Sequence, residues 1–273
     1  MKATSSRFWL TTDLDGTLIP IDNTREAHGA ALQRLGSAAS ERPDREIVFV
    51  TGRHLESVLQ VLQKESLPTP HSIITDVGSR IWNRVGQQWE SDAPYDAQLS
   101  ALCGGVSMEQ LGDALSDVPG LQLQSPERQG LHKLSFECKA LRLEQCVSAV
   151  NERIQQREFS FSVTASVDPF SNLGLIDVLP KGVSKRFAIE WFHSNHHNLN
   201  SDQLMFCGDS GNDLEVFLSP IRSVVVGNTS ETVKQQVMDS IREGNTPEDS
   251  VYFAIGESTS GVLEGARHFG WLE

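Results

Sequence analysis

Two carboxylates one residue apart, Asp13 and Asp15, follow an apolar run that begins at Phe8, and Gly16 stands directly after them. Residues two apart on a strand point to the same side, so a strand that ends here brings both carboxyl groups close together. Two carboxylates at that distance repel, and each then needs a cation or a shared proton. Since an isolated Asp-x-Asp-Gly is most often an exposed acidic turn, its meaning depends on the rest of the chain.

The elements that must position this pair read as alternating strands and helices. Apolar residues at helical spacing separate several short apolar runs, which are typical of strands buried on both faces. The runs lie at residues 8–12, 46–50, 72–75, 204–207, 222–226 and 251–255. This alternation predicts a parallel sheet with right-handed crossovers.

Between the third run, which ends at residue 75, and the fourth, which begins at residue 204, the pattern changes. Paired, alternating strands separated by helices indicate an α+β module with an antiparallel sheet. Helices are predicted at 99–115 and 143–154, and strands at 121–123, 131–138, 159–165 and 174–179. We therefore predict an α/β fold with two parts. Residues 1–86 and 178–273 form a Rossmann-like core, a parallel sheet with helices on both faces, and residues 87–177 form an inserted α+β domain.

The composition limits the partners of the protein. Its 23 Lys and Arg residues against 36 Asp and Glu residues give a net charge of −13, which argues against a nucleic-acid partner. An anionic substrate must therefore find a local cationic site. The four cysteines lack Cys-x-x-Cys spacing, which fits reduced thiols in a cytoplasm. With neither a signal-like apolar region nor a membrane-spanning run, we expect a cytoplasmic protein without a membrane partner.

Polar side chains follow the carboxyl ends of three predicted parallel strands. They are Asp13 and Asp15 after the first strand, Thr51 after the second, and Asp209 with Asp213 after the strand at 204–207. Ligands of open α/β sheets bind at this edge, so these side chains are expected to converge on one crevice. Such a cluster of carboxylates needs a cation, and hard oxygen ligands suit Mg²⁺.

These stretches resemble the four motifs of the haloacid dehalogenase-like phosphohydrolase superfamily. Asp13-Leu14-Asp15-Gly16-Thr17 matches the first motif, Thr51 the second, Lys185 the third and residues 208–213 the fourth. The resemblance covers the predicted core from end to end. The inserted domain lies between Thr51 and Lys185, where this superfamily places its α/β cap.

Within the superfamily, the chain resembles the sucrose-phosphate phosphatases and the mannosylfructose-phosphate phosphatases. The matching stretches are residues 132–136, 177–180, 208–213 and 260–264. Three residues depart from the sucrose-phosphate phosphatase pattern: Arg80 replaces an acidic residue, Leu175 replaces an aspartate, and Arg186 replaces a glycine. Since Arg80 and Leu175 lie where the sugar would be read, they bear on the identity of the sugar rather than on the phosphate chemistry.

The residue types indicate how such an enzyme would work. Asp13 would attack phosphorus and form an aspartyl-phosphate, while Asp15 would protonate the leaving sugar oxygen and then activate water. Thr51, the amides that follow it and Lys185 would stabilise charge on the transferring group. By resemblance, Asp13, the Asp15 carbonyl and Asp209 ligate Mg²⁺, and Asp213 holds a metal-bound water or braces Lys185. The substrate-binding residues implied are Thr51, Gly52, Arg53, Lys133, Asp177, Lys185 and Asn212.

The resemblance predicts a magnesium-dependent phosphatase of a disaccharide phosphate such as sucrose 6-phosphate, with the cap closing over the sugar. Mannosylfructose, glucosylglycerate and mannosylglycerate phosphates are alternative substrates. A phosphotransferase of the phosphomannomutase kind shares the first motif and the cap position, but the matches in the cap favour a hydrolase. A non-catalytic sugar-phosphate sensor would have lost a catalytic group, and Asp13, Asp15, Lys185 and Asp209 are all present. We expect a monomer or a weak homo-oligomer.

Overall fold

The computed structural model describes residues 7–21, 25–168, 171–196 and 201–273. Within these ranges, the strands form one eight-stranded and one four-stranded sheet. The strands are β1 (Phe8–Thr12), β2 (Arg45–Val50), β3 (Ser72–Thr75), β4 (Arg80–Val85), β5 (Gln88–Ser91), β6 (Gln122–Leu123), β7 (Leu134–Lys139), β8 (Phe161–Val167), β9 (Leu173–Pro180), β10 (Leu204–Gly208), β11 (Arg222–Val225) and β12 (Val251–Phe253). The helices are α1 (Arg25–Glu41), α2 (Leu55–Lys64), α3 (Ala93–Leu102), α4 (Met108–Leu115), α5 (Leu143–Gln156), α6 (Lys185–His196), α7 (Leu214–Phe217), α8 (Glu231–Arg242) and α9 (Ser258–His268).

The larger sheet has the strand order β12-β11-β10-β1-β2-β3-β4-β5. The six strands from β12 to β3 are parallel, and β4 and β5 add an antiparallel edge. Helices pack on both faces, with Ile189 and Phe192 of α6 in the core on one side and Leu35 and Val262 in the core on the other. The predicted α/β core is therefore confirmed.

The smaller sheet is antiparallel throughout, with the order β6-β7-β9-β8. Phe136, Val150 and Ile176 belong to its own hydrophobic core, which includes residues of α4 and α5. The predicted second α+β unit is confirmed. Its boundaries at residues 87 and 177 stay a prediction. Strand pairing assigns β5 to the larger sheet and all of β9 to the smaller one.

The structure differs from the sequence analysis in two places. The helix predicted at 99–115 is two helices, α3 and α4, because Gly104 and Gly105 both adopt positive φ and end the first one. The hairpin of β4 and β5 was not predicted. Its strands carry Arg80, Asn83 and Arg84 and are largely half-buried or exposed, so no continuous apolar run indicates them.

Strand register brings the polar ends of the parallel strands together. Thr12 of β1 lies beside Cys207 of β10 and Phe49 of β2, so these three strands finish at one edge of the sheet. The residues that follow them therefore share one crevice. No helix within the described ranges combines the length and the apolar character needed to cross a membrane.

Candidate active site

Asp13 lies directly after β1, where its main-chain N–H donates to the carbonyl of Cys207 at 2.9 Å. Its side chain is buried, and its Oδ1 lies 3.2 Å from Nζ of Lys185. Lys185, the first residue of α6, is also buried and donates from Nζ to Oδ1 of Asp213 at 2.6 Å. One ammonium group thus bridges two carboxylates that follow different strands.

Asp213 shapes the loop that follows β10. Its Oδ2 accepts hydrogen bonds from the main-chain N–H groups of Asp209 at 3.1 Å and Ser210 at 3.0 Å. Both of its oxygens are therefore engaged, which agrees with the bracing of Lys185 rather than with direct metal ligation. Asp209 is held in turn by Thr17, whose Oγ1 donates to its Oδ1 at 2.6 Å. The sequence analysis placed Thr17 in the first motif but gave it no role.

Asp13, Asp209 and Asp213 form an acidic cluster, and each offers one carboxylate oxygen within 4.8 Å of the others. The Lys185 ammonium adds one positive charge against three negative ones. Asp213 already uses both oxygens in hydrogen bonds, so Asp13 and Asp209 are the more available of the three to face a cation. These hard, negatively charged donors fit a Mg²⁺ ion.

The electrostatics agree with this charge imbalance. Burial raises the pKa of Asp13 well above its usual value, and the opposing charge of Lys185 only partly offsets the effect. Burial, together with the charge of Asp213, raises the pKa of Asp209 to about 7. For Lys185, burial lowers the pKa, but Asp13 and Asp213 outweigh it and the pKa rises. Lys185 therefore stays charged. A bound cation would stabilise the ionised forms of Asp13 and Asp209.

Asp15 has a different partner from Asp13. The guanidinium of Arg53 donates from Nε to Oδ2 and from Nη2 to Oδ1 of Asp15, both at 2.6 Å. Nη1 of Arg53 also donates to Oγ of Ser57 at 3.0 Å. The fork geometry of this contact is the strongest form of an arginine–carboxylate pair. The Arg53 side chain, predicted to bind substrate, is therefore held on Asp15 in this structure.

Thr51 and Gly52 lie in the same crevice, between β2 and α2. Oγ1 of Thr51 accepts from the main-chain N–H of Arg53 at 3.2 Å, so Thr51 closes a tight turn around Gly52. Two carbonyls of this turn accept from the loop after β3: the Arg53 carbonyl from Asp76 at 3.0 Å, and the Thr51 carbonyl from Val77 at 3.1 Å. This loop thus supports the turn that carries Thr51.

The loop after β3 is a feature that the sequence analysis did not assign to the site. Asp76, Val77 and Gly78 have successive φ values of 56°, 57° and 93°, a conformation that is unfavourable for two residues with side chains. A signal for it was present, because Asp76 follows a buried parallel strand just as Asp13 does. The residue that Asp76 pairs with, Lys133, could not be predicted, because it lies in the part of the chain that forms the smaller sheet.

Lys133, just before β7, connects the two sheets. Its Nζ lies 3.1 Å from Oδ1 of Asp76 in the core and 3.7 Å from Oδ1 of Asp177 on β9. Asp177 also accepts a short hydrogen bond from Oγ of Ser135. The predicted substrate-binding residues Lys133 and Asp177 therefore lie together at the junction between the core and the smaller sheet.

The remaining singled-out residues lie outside the acidic cluster. Asn212 is half-buried, and its Oδ1 accepts from Oγ of Ser210 at 3.0 Å. Arg80 lies 3.4 Å from Asp96, and its guanidinium is 4.6 Å from the Trp82 ring centroid. Leu175 lies beside Glu137 on the smaller sheet. Arg186 pairs with Glu190 on the outside of α6.

Comparison with known proteins agrees with this arrangement. The model of the sucrose-6F-phosphate phosphohydrolase family matches residues 6–270. A putative HAD-like hydrolase of Nitrosococcus oceani is 32% identical over 97% of this chain and 73% of its own length. A mannosylfructose-phosphate phosphatase of Agrobacterium fabrum is 28% identical over 96% of both chains. The chain spans 60% of the length of the probable sucrose-phosphatase 3a of Arabidopsis thaliana, with 26% identity.

A solved structure shows the same fold. The sucrose-phosphatase of Synechocystis sp. PCC6803, in complex with sucrose and phosphate, aligns with a TM-score of 0.75 at 23% identity. The alignment covers 97% of this chain and 98% of that chain. The match to the family model over nearly the whole sequence goes further than fold. The chain belongs to the sucrose-6F-phosphate phosphohydrolase family, a group of phosphoric monoester hydrolases with the HAD-like fold.

Proposed function

We propose that the protein hydrolyses the phosphomonoester of a disaccharide or a related glycoside through an aspartyl-phosphate on Asp13. The observation that carries the proposal is the junction of Asp13, Lys185 and Asp209 in one buried crevice. The names of two relatives, a sucrose-phosphatase and a mannosylfructose-phosphate phosphatase, support the substrate class.

In the first step, a carboxylate oxygen of Asp13 attacks phosphorus, and the bond between phosphorus and the sugar oxygen breaks. Only the ionised carboxylate is a useful nucleophile. Burial opposes ionisation of Asp13 by raising its pKa, so the ammonium of Lys185 is needed beside it. Lys185 and the hydroxyl of Thr51 also supply donors where negative charge develops on the transferring group.

Asp15 supplies the proton transfers. It donates a proton to the leaving sugar oxygen and then removes one from the water that attacks the aspartyl-phosphate. The Arg53 fork engages both carboxylate oxygens of Asp15. Because the first step needs a protonated carboxyl group, the fork must loosen when the substrate binds.

Asp13, the Asp15 carbonyl and Asp209 are the groups proposed to hold Mg²⁺. When bound, this ion neutralises charge on the phosphate. Thr17 orients Asp209 through its hydroxyl, and Asp213 keeps the loop after β10 and the Lys185 ammonium in place.

The sugar is proposed to bind between the core and the smaller sheet. Lys133, Asp177 and Ser135 present charged and hydroxyl groups at this junction, which suit a ligand rich in hydroxyls. A site that pairs buried polar groups with hydroxyls rejects a mismatched sugar strongly, because its own groups are then left unpaired. Gly52, Arg53 and Asn212 are proposed as further contacts near the phosphate.

Phosphate release from a panel of esters tests the function. The panel contains sucrose 6-phosphate, mannosylfructose phosphate, glucosylglycerate and mannosylglycerate phosphates, and simple hexose phosphates, each with Mg²⁺. We expect one glycoside phosphate to exceed every hexose phosphate in kcat/KM by at least about tenfold, a difference of roughly 1.4 kcal/mol. A uniform rate over the panel would contradict a site that reads the sugar.

Two controls on the panel test the chemistry. Asp13→Asn should fold normally but turn over below about a thousandth of the wild-type rate. Excess chelator should abolish activity while far-UV circular dichroism is unchanged. A larger residual rate would exclude Asp13 as the nucleophile, and full activity with chelator would exclude metal dependence.

We further infer that the protein works in a reducing compartment such as the cytoplasm. All four cysteines are free and buried, as expected where thiols stay reduced.

A monomer or weak homo-oligomer is the proposed oligomeric state, and light scattering during gel filtration measures it.

A further inference from the structure

We propose that Asn228 and Ser258 are positioning residues that hold the Asp15-Gly16-Thr17 turn in the shape that binds the metal ion. Both lie outside the four motifs, in the loop after β11 and at the start of α9. The inference rests on the proposed function for its activity measurements, but its decisive measurement is metal binding.

The two side chains converge on one carbonyl of the turn. Nδ2 of Asn228 donates to the Gly16 carbonyl at 2.8 Å, and Oγ of Ser258 donates to the same oxygen at 3.0 Å. They are also joined to each other, because the main-chain N–H of Ser258 donates to Oδ1 of Asn228 at 2.7 Å. The Gly16 carbonyl is therefore held by a connected pair of donors.

The other side of the turn faces the acidic cluster. Gly16 has a φ of 80°, and a Cβ at this position would lie 2.3 Å from Oδ2 of Asp209. Its backbone is thus pressed against the Asp209 carboxylate, while its carbonyl is held by Asn228 and Ser258. Any movement of these two side chains shifts the contact between the turn and Asp209.

The same turn sets the direction of the Asp15 carbonyl. The N–H of Gly16 donates to the Ile19 carbonyl at 2.8 Å. In a planar trans peptide, the C=O of one residue and the N–H of the next point in opposite directions, so this bond fixes where the Asp15 carbonyl points. With the Gly16 carbonyl also held, both peptide planes that meet at Gly16 are fixed.

Ser258 holds its position in an unfavourable conformation. It is buried and has a φ of 45°, in the left-handed region where glycine is the favoured residue. Serine is present nonetheless, and glycine would lack the hydroxyl that donates to Gly16. The loop before Ser258 is fixed by Glu264, whose carboxylate accepts from the N–H groups of Ile255 at 3.2 Å and Gly256 at 2.9 Å.

The test compares Ser258→Gly, Ser258→Ala and Asn228→Ala with the wild type. The apparent dissociation constant for Mg²⁺ is measured from the rise of Tm with Mg²⁺ concentration. Loss of a group that orients a metal ligand typically weakens metal binding 10- to 100-fold, so we expect at least about a tenfold increase in each variant. The concentration of Mg²⁺ that gives half-maximal activity should rise in parallel, with KM for the ester at saturating Mg²⁺ within about twofold of wild type.

The serine variants separate positioning from stability. Ser258→Gly relieves the backbone strain and Ser258→Ala does not, so the glycine variant should unfold at the higher temperature, although both bind Mg²⁺ equally weakly. Ser230→Ala is the matched control, because Ser230 caps α8 in the neighbouring loop, where its hydroxyl accepts from the N–H of Val233. It should lose stability but keep wild-type Mg²⁺ affinity.

Wild-type Mg²⁺ affinity in Ser258→Gly and Asn228→Ala would overturn the proposal, and so would the absence of Mg²⁺ binding by the wild type. Asp209→Ala, which removes a proposed ligand, shows that the measured binding belongs to this site. If the wild type binds Mg²⁺ but releases no phosphate from any ester, the proposed function fails while the positioning roles remain tested by the binding data.

Discussion

Arg53 forms a paired contact in the site, with two hydrogen bonds of 2.6 Å to the carboxylate of Asp15. The side chains of Arg53 and Asp15 are 29% and 38% exposed, so a substrate can reach this pair and compete for it. The pairing keeps Asp15 in one orientation between turnovers. We therefore expect Arg53 to act on the proposed proton-transfer step through Asp15, in addition to any contact of its own with the substrate.

Arg53→Met tests this role through the leaving group. A sugar alkoxide needs a proton as it leaves, whereas p-nitrophenolate needs little help, so a misplaced Asp15 should matter only for the sugar ester. We expect kcat for the glycoside phosphate to fall by about 100-fold, the scale of general acid–base catalysis, with p-nitrophenyl phosphate within a fewfold. Ser57→Ala, which removes the hydrogen bond between Nη1 of Arg53 and the Ser57 hydroxyl, is the control. Equal losses on both esters would assign Arg53 to phosphate binding.

Asp209→Asn should stabilise the metal-free protein at alkaline pH. The native pKa of about 7 lies above the usual value of 3.8, so the stability contributed by Asp209 is complete below about pH 4 and is lost as pH rises through 7. At pH 8, the ionised group in the wild type costs roughly 1–4 kcal/mol at 1.36 kcal/mol per pKa unit.

Thermal unfolding in excess chelator at pH 5 and pH 8 measures this effect. The difference in Tm between the two pH values should shrink in Asp209→Asn, and added Mg²⁺ should reduce it in the wild type. Glu215→Gln, an exposed carboxylate on α7, is the control and should behave as the wild type does. An unchanged pH dependence in Asp209→Asn would mean that Asp209 ionises without cost.

The sequence predicted which residues meet in the crevice more fully than it predicted how they pair. Asp13, Thr51 and Asp209 follow buried parallel strands, and strand register alone brings such positions to one edge. The pairing of Lys185 with both Asp13 and Asp213 depends on where α6 packs. The fork between Arg53 and Asp15 depends on a rotamer, which residue spacing does not specify.

At the scale of elements, the loop after β3 connects three parts of the site. Asp76 and Val77 donate to the turn that carries Thr51. Gly78 touches the start of α6, where Lys185 begins the helix, and its carbonyl accepts from the hydroxyl of Tyr95 at 2.6 Å. The position of Lys185 therefore depends on the conformation of this loop.

Gly78→Ala tests that dependence. The added Cβ would lie 2.3 Å from the Ser184 carbonyl oxygen and 2.9 Å from the Lys185 nitrogen, at a φ of 93°. Gly86→Ala is the matched control, because its φ of 64° is also positive but, among the described residues beyond its two chain neighbours, no atom lies within 4 Å of the added Cβ. We expect urea unfolding to give a loss of about 1–2 kcal/mol for Gly86→Ala and clearly more for Gly78→Ala, with lost activity only in the latter. Equal losses in the two variants would show that the contact with α6 tolerates a side chain.

Some elements could be predicted from sequence and others could not, for physical reasons. β1 and β2 are buried along their whole length, so their apolar runs stand out. β4 and β5 form an edge hairpin whose side chains face partly to solvent, which removes that signal. The split between α3 and α4 was readable from Gly104 and Gly105, but the apolar spacing on either side favoured one continuous helix.

At the scale of the whole molecule, a buried ion pair joins the smaller sheet to the core. Lys133 and Asp76 meet across this junction at 3.1 Å, with their side chains 6% and 7% exposed. A buried ion pair contributes little net stability by itself, but removing one partner leaves the other charge buried and unpaired. The two-part organisation was predictable from the change in pattern along the chain. This contact was not, because it arises only when the two parts dock.

Lys133→Met should therefore impair reactions that need the smaller sheet and spare those that do not. In the proposed function a disaccharide phosphate binds at the junction where Lys133, Asp76 and Asp177 meet, so we expect its kcat/KM to fall by at least about tenfold, while p-nitrophenyl phosphate stays within a fewfold. Lys139→Met is the matched control, since Lys139 lies at the exposed end of β7, and it should change neither value. Asp76→Asn keeps the shape of the side chain but removes the charge, and should show the same selectivity with a smaller loss. If Lys133→Met slows both esters equally, Lys133 serves the phosphate site or the fold. The docking of the smaller sheet would then not determine the preference between the two esters.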